Sequence, residues 1–373
     1  MPYSQSRRDF IQKMSGGLGL SLAGLSLAAQ PAPLLKTAAP GKRLGVALVG
    51  LGSYAKNQLA VALEKTTNCY LAGIVTGTPS KAVEWAKKYN LEKKNIYNYQ
   101  NFDEIAHNKD IDIIYVVLPN SMHREYVLRA AKTGKQVMCE KPMSTTVSDA
   151  EDMIKACRDA GVQLGIGYRM HFEPHTIEVV RECREKTLGD VKFIQTNFGF
   201  VIGDPTQWRL KKDMAGGGPL MDVGIYCVQA ARYVTGEEPI SVTAQYGPVT
   251  DPAVFSSVEQ SISWQLEFPG HATVNGFSSY RSNIEQLYVS LSKGWIQLSP
   301  AYSYGPIVGS TSAGPLNQPV VHHQTVMLEA ICKWYLDTGK FPAHISGEEG
   351  LRDMKILMKI YEAAATGKKL DLV

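Results

Sequence analysis

From residue 44 onward the chain shows two successive rhythms of apolar and polar positions. Short apolar runs at 44–49, 70–75, 95–99, 111–118, 136–139 and 161–168 have the length and continuous hydrophobicity of strands buried on both faces. Stretches with apolar residues at helical spacing fall between them, at 56–65, 80–89, 103–107, 121–132 and 147–159. Strand and helix in alternation predict a doubly wound parallel sheet covered by helices on both sides. After about residue 170 the rhythm changes. One helix at 175–186 is followed by polar–apolar alternation at 191–201, 240–245, 257–268, 271–279, 285–290 and 294–298, interrupted by a helix at 219–234. Amphipathic helices at 325–337 and 347–365 close the chain. A period of two without intervening helices predicts an open, mainly antiparallel sheet.

Before residue 43 the pattern is of another kind. Ser6-Arg7-Arg8-Asp9-Phe10-Ile11-Gln12-Lys13 matches the twin-arginine export pattern, and an apolar stretch of small residues follows over 18–29. That stretch is too short for a stable membrane span and offers a small-residue cleavage site near Ala28. Residues 1–30 therefore read as a twin-arginine signal peptide, placing the mature chain in the periplasm or otherwise outside the cytoplasm. The proline-spaced stretch 31–42 reads as an extended arm. The formal charge of +4 falls to about +2 once the signal is set aside, which gives no footprint for nucleic acid or acidic membranes. Expected partners are small molecules and further copies of the chain, as a homodimer or homotetramer through the sheet face, with no membrane contact after processing. The six cysteines show no paired spacing and read as small buried hydrophobes. His171 and His175 stand four apart around Glu173, but Pro174 would disrupt the helix a metal pair needs, so no metal is expected.

Three motifs carry candidate chemistry. Gly50-Leu51-Gly52-Ser53-Tyr54-Ala55 joins the first strand to the first helix. Its glycines allow a tight turn and close approach of a pyrophosphate, and Ala55 allows close helix–strand packing. The fold class is therefore α/β: an N-terminal Rossmann dinucleotide-binding domain over 43–165 and a C-terminal α+β domain over 166–373 for substrate and oligomer contacts. The second strand ends in Val75-Thr76-Gly77-Thr78-Pro79-Ser80-Lys81. No carboxylate is there to take a ribose 2′-hydroxyl, whereas the hydroxyls and Lys81 suit a 2′-phosphate, which favours NADP over NAD. Lys141, in Glu140-Lys141-Pro142 at the end of the fifth strand, falls beside the expected nicotinamide position, as a proton-transfer group or simply a solvated charge. The third motif is Gly216-Gly217-Gly218-Pro219-Leu220-Met221-Asp222-Val223-Gly224-Ile225-Tyr226. Its glycines read as a flexible entry, Pro219 suits the first helical position, and Gly236 is a natural stop. Asp222 and Tyr226 share a helix face. A free tyrosine ionises near pH 10, and Lys141 and the helix N-terminus would both favour its phenolate. Gly224, costly in a helix, implies a close neighbour. The residues alone leave Tyr226 equally open as a buried core side chain.

At these positions the chain resembles the glucose–fructose oxidoreductase / inositol dehydrogenase family (Gfo/Idh/MocA), most of all its glucose–fructose oxidoreductase branch. The likeness rests on the runs at 50–58, 118–123, 137–143, 166–169, 207–211 and 215–226. It implies Lys141 and Tyr226 in proton transfer, with Asp222 orienting the sugar or the tyrosine. It implies Thr76 and Lys81 at the 2′-phosphate. Tyr99, Leu118, Pro119, Asn120, His123, Glu140, Arg169, Trp208 and Arg209 would line the cofactor and sugar cleft beside Gly50, Gly52, Ser53, Tyr54 and Ala55. The arm 31–42 is shorter than the family's cofactor-covering arm, which leaves cofactor retention open. The implied reaction is hydride transfer between an aldose C1 and NADP, giving a lactone, with the cofactor recycled by a second sugar. The alternatives are an exported NAD-dependent glycosidase of the same fold and a non-catalytic sugar or dinucleotide sensor.

Overall fold

The computed structural model describes residues 41–372. The signal 1–30 and all but the last two residues of the arm 31–42 lie outside the described residues. The first layer is a six-stranded sheet of β1 (Leu44–Val49), β2 (Cys69–Val75), β3 (Ile96–Tyr97), β4 (Ile113–Val116), β5 (Gln136–Cys139) and β6 (Leu164–Ile166). The order is β3-β2-β1-β4-β5-β6 with every pair parallel. Every residue of β1 is buried, as continuous hydrophobicity requires of a central strand. The winding reverses between β1 and β4, so a crevice opens beyond their carboxyl ends. The covering helices are α1 (Ala60–Lys65), α2 (Pro79–Tyr89), α3 (His123–Lys132) and α4 (Val147–Asp159). Thr146 caps α4 by accepting from the Asp149 amide at 3.1 Å.

The second layer is a nine-stranded sheet. It contains β7 (Val191–Gly199), β8 (Ser241–Tyr246), β9 (Ser261–Glu267), β10 (Thr273–Ser279), β11 (Ile284–Leu291), β12 (Gly294–Leu298), β13 (Gly309–Thr311), β14 (Gly314–Leu316) and β15 (Leu370–Asp371), in the order β14-β13-β12-β11-β7-β10-β9-β8-β15. The central pair, β7 with β10, is parallel, and all other neighbours are antiparallel. The remaining helices are α5 (Pro174–Arg184), α6 (Lys212–Ala215), α7 (Ile225–Thr235), α8 (His323–Thr338) and α9 (Gly347–Thr366). Buried α7 lies against one face of the sheet. The opposite face carries half-buried, uncharged Phe193, Gln195, Asn275, Phe277, Tyr288 and Trp295.

Several expectations change. The segment 103–107 is a 3-10 turn within Phe102–His107, and the strand expected over 95–99 shrinks to β3. Pro174 begins α5 rather than breaking it, and Glu173 caps that helix by accepting from the Thr176 amide at 2.7 Å. His171 precedes the proline in a separate 3-10 turn, Arg169–Phe172. No group of three metal-ligating side chains occurs among the described residues. All six cysteines are unpaired and buried. The chain's end returns to the first layer: Glu329 of α8 accepts from the Thr67 and Asn68 amides at 2.8 and 3.1 Å.

Candidate active site

The turn after β1 is built for close approach. Gly50 has φ +95°, and a Cβ there would stand 2.5 Å from the Val117 carbonyl oxygen. A Cβ on Gly52 would meet nothing within 4 Å, so space is open above the turn. The helix that follows starts with a wide π turn, Ala55–Leu59, before α1. Lys81 of α2 folds back over this cradle, its Nζ donating to the Leu51 carbonyl at 3.0 Å. Buried Thr76 accepts from the Thr78 amide at 3.2 Å, and the Tyr99 ring edge lies where a Gly77 side chain would project. An open glycine turn at a helix start, with hydroxyls and an ammonium where an acid could stand, fits a dinucleotide carrying a 2′-phosphate.

Residues beyond β4 and β5 divide into supports and site. Leu118 packs on Gly50, with Pro119 next in the loop. Asn120 ties the first layer to α6 by donating from Nδ2 to the Ala215 carbonyl at 2.9 Å. His123, expected to line the cleft, is instead fully enclosed. Its ring nitrogens face the carbonyls of Leu118 at 2.8 Å and Pro142 at 3.0 Å, and burial pushes its pKa down. A neutral imidazole has one N–H, so the ring donates to one of these carbonyls and packs against the other, spanning the two loops. Glu140 is likewise buried, accepting from the Tyr115 hydroxyl; burial raises its pKa while that hydrogen bond and Lys141 oppose the rise.

Lys141 precedes a cis peptide to Pro142 and reaches across to the second layer. Its Nζ donates to the Asp222 carbonyl at 2.6 Å, lies 3.5 Å from Asp222 Oδ1, and stands 4.7 Å from the centre of the Tyr226 ring. Asp222 Oδ2 accepts from Arg209 Nε and the Tyr280 hydroxyl, both at 3.1 Å. Burial alone would raise the Asp222 pKa; Arg209 and Lys141 outweigh it and hold the carboxyl below its usual range. Arg209 in turn stacks on Trp208, 4.6 Å from its ring. Arg169 donates from Nε to the Tyr226 hydroxyl at 3.2 Å. The charged and phenolic groups named from the sequence thus converge, while His123 and Asn120 serve behind them.

The glycine run that delivers Asp222 and Tyr226 is not a flexible entry. A Cβ on Gly217 would stand 2.0 Å from the Tyr361 hydroxyl, and one on Gly218 2.5 Å from the Glu259 carbonyl oxygen. The buried Glu259 carboxylate accepts from the Gly218 and Leu220 amides at 2.8 and 3.1 Å and from the Tyr361 hydroxyl at 2.8 Å. Here glycine serves packing, and the turn is fixed. Leu220–Gly224 is a second π turn, leading into α7. A Cβ on Gly224 would be 3.0 Å from Ser278 Oγ and 3.2 Å from the Trp264 ring, the close neighbour the sequence implied.

Lys141, Asp222 and Tyr226 form one wall of a cavity of about 740 Å³. Phe198, Phe200, Glu285, Tyr302 and Tyr304 also line it, none of them singled out from the sequence. Phe198 and Phe200 stand two apart at the end of β7, a spacing that placed them together on one face. Tyr302 and Tyr304 sit in an irregular loop after β12, where no periodicity marks them. Glu285 holds that loop by accepting from the Tyr302 and Ser303 amides. Aromatic rings in one cavity with a lysine, a carboxylate and a phenol suit a compact polyol-like ligand whose C–H face stacks while its hydroxyls hydrogen-bond.

Residues 44–168 match the family described as "Oxidoreductase family, NAD-binding Rossmann fold", and residues 177–297 match the GFO/IDH/MocA C-terminal domain. The D-xylose 1-dehydrogenase [NADP(+)] of Haloarcula marismortui is 28% identical over 87% of this chain and 92% of its own length. A second such dehydrogenase, from Haloferax volcanii, is 30% identical over 74% of this chain and 84% of its own. The crystal structure of aldose-aldose oxidoreductase from Caulobacter crescentus, complexed with glycerol, superposes with a TM-score of 0.85 at 41% identity, covering 88% of this chain and all of that one. With both domains matched and the cleft between them assembled, the chain belongs to the Gfo/Idh/MocA family of oxidoreductases.

Proposed function

We propose that the protein is an NADP-dependent sugar oxidoreductase that oxidises an aldose at C1 to a lactone and returns the hydride to a second sugar without releasing the dinucleotide. The observation that carries this reading is the meeting of Lys141 with Asp222 and Tyr226 in one wall of a cavity of about 740 Å³, which Tyr304 joins to Tyr54 of the glycine turn. The names of two relatives specify xylose and NADP, and that of a third specifies two aldoses.

The dinucleotide, held by the turn at Gly50–Gly52 with Thr76 and Lys81 toward its 2′-phosphate, would supply the hydride acceptor. Tyr226 Oη takes the proton of the C1 hydroxyl as the C1–H bond breaks, and returns it to a carbonyl oxygen in the reverse direction. Lys141 Nζ bears on the reacting oxygen and offsets its developing charge. Asp222, fixed by Arg209 and Tyr280, holds Lys141 at that distance. The aromatic wall orients the ring and keeps bulk water from the reacting carbon.

The row of half-buried, uncharged side chains on the outer face of the second sheet supports a homodimer or homotetramer built on that face. The twin-arginine pattern supports an exported, periplasmic enzyme, where exchange with a soluble NADP pool would be scarce. The test is to purify the mature protein, release and identify its dinucleotide, and incubate it with pairs of sugars. Aldonate and polyol in equal amounts without added cofactor are expected. Turnover only with added NADP would reject internal recycling, and release of a chromogenic aglycone from aryl glycosides would replace the oxidoreductase reading with a glycosidase.

A further inference from the structure

Arg169 is the most deeply buried cation of the cavity, 3% exposed, and no described carboxylate pairs with it. Its guanidinium is held by the protein's own acceptors. Nη1 donates to the Ser303 carbonyl at 3.2 Å and lies 2.8 Å from His323 Nδ1, and Nη2 donates to the Tyr302 carbonyl. Burial, then the charge of Arg169, push His323 down to about 4, so its ring is neutral and accepts. Nε remains, and it donates to the Tyr226 hydroxyl at 3.2 Å with the guanidinium carbon 4.8 Å from the ring centre.

A buried guanidinium without a counter-ion is costly unless negative charge develops beside it. Of its five N–H groups, four are engaged, so the planar fork has no free edge with which to grip an incoming carboxylate in two-point fashion. Negative charge must then arise on an atom already in contact, and Tyr226 Oη is the contact that can ionise. Other titratable groups also face Tyr226: Lys141 over the ring, Asp222 on the preceding turn, and Tyr302 and Tyr304 from the loop after β12. Tyr54 faces it from the glycine turn. Asp222 is shared by Lys141 and Arg209. Arg169 is the cation whose N–H meets the phenolic oxygen itself.

We propose that Arg169 is a catalytic residue whose guanidinium supplies the fixed positive charge against which Tyr226 releases and regains its phenolic proton, with His323 as the positioning residue that locks it. This rests on the reading of Tyr226 as the proton carrier. In the oxidising direction the phenolate, hydrogen-bonded to Nε–H, gains the proton lost by the C1 hydroxyl, and Arg169 keeps its own proton throughout.

The test places 3-fluorotyrosine at position 226 and follows its fluorine resonance against pH in the full chain, alongside the pH dependence of kcat. In Arg169→Gln the titration moves to higher pH by about one unit, and turnover on the acid side falls about tenfold. Arg169→Lys keeps a charge but gives up the Nε contact, so the titration rises by less; this variant serves if the glutamine variant does not fold. A titration and pH profile unmoved in a folded variant, with only KM altered, would overturn the proposal. A parent protein that oxidises no aldose would sink the reaction proposed above, while the fluorine titration would still decide on Arg169.

Discussion

The two ends of α7 carry two buried charged clusters of opposite character. At the far end Arg232, 2% exposed in its side chain, meets three carboxylates: Glu238 at 2.6 Å, Glu349 at 2.7 Å and Asp353 at 2.7 Å. Asp353 also accepts from the Tyr168 hydroxyl and Gln229 Nε2, both at 2.6 Å. Arg352 joins it at Glu349, 3.1 Å, and Glu238, 3.7 Å, so each carboxylate meets a cation and the cluster closes on itself. At the near end Lys141, Arg209 and Arg169 gather around Tyr226 with Asp222 as the one carboxylate in ion-pair contact. Each has a buried cation at its centre, Arg232 beside enclosed Asp353 and Arg169 beside Tyr226, so burial of that cation does not separate them; the sign of the excess charge does. A buried cation ringed by carboxylates holds structure, whereas a cation excess facing a cavity creates a demand for negative charge that a reaction can meet.

The contrast can be broken at either end. The largest effect is expected at the near end: Tyr226→Phe lowers kcat by about 10²- to 10⁴-fold while bound dinucleotide, measured by its absorbance after release, stays with the protein. Loss of the dinucleotide together with activity would assign Tyr226 to binding instead. At the far end Arg232→Leu leaves buried Asp353 without its cation, Glu238 and Glu349 keeping Arg352, and destabilises the fold by about 3–5 kcal/mol, read from denaturant midpoints. Turnover per folded molecule is unchanged; a selective loss of kcat would mean the two clusters are coupled.

Two smaller effects sharpen the picture. Lys81→Ala removes a charged hydrogen bond worth about 1.5–3 kcal/mol, so the dissociation constant for NADP rises about ten- to hundredfold while that for NAD is unmoved. Equal losses for both cofactors would place Lys81 away from the 2′-phosphate. The smallest is a pH effect. Burial pushes His344, beside His171 and Phe172, down to about 4. Between about 6.5, the unfolded value, and 4 the unfolded chain binds the extra proton, so folding stability falls as the pH drops through that window. His344→Leu should make that fall shallower in urea titrations at pH 7 and pH 5.

The sequence made the central elements readable and the peripheral ones obscure. β5, α4 and β12 fall at the expected residues because continuous burial or clean periodicity spans their whole length. β13 and β14 were missed: three residues each, with glycine starting both and a proline in the second, they hold no alternation to detect. The parallel pairing of β7 with β10 is a property of the chain's path, not of either strand's pattern. The same division runs through the site. Lys141, Asp222 and Tyr226 stood in runs whose residue types signalled chemistry. Arg169 stood in such a run too, but its role depends on carbonyls more than 130 positions later. Phe198 and Tyr302 read as ordinary hydrophobes until the cavity gave them a side to face.

The widened turns at Ala55–Leu59 and Leu220–Gly224 have a consequence for reading related chains. A π turn accommodates one residue more than the α turn it replaces, so each is a one-residue insertion concealed inside a helix, one at each side of the cleft. An alignment that forbids gaps within helices would carry a one-position error past either turn. Tyr226 and the glycine cradle would then be paired with neighbours that point about 100° away around the helix axis. Comparison of ligand-contacting positions across such chains has to be made in space, with the helix axes superposed, before it is made by residue number.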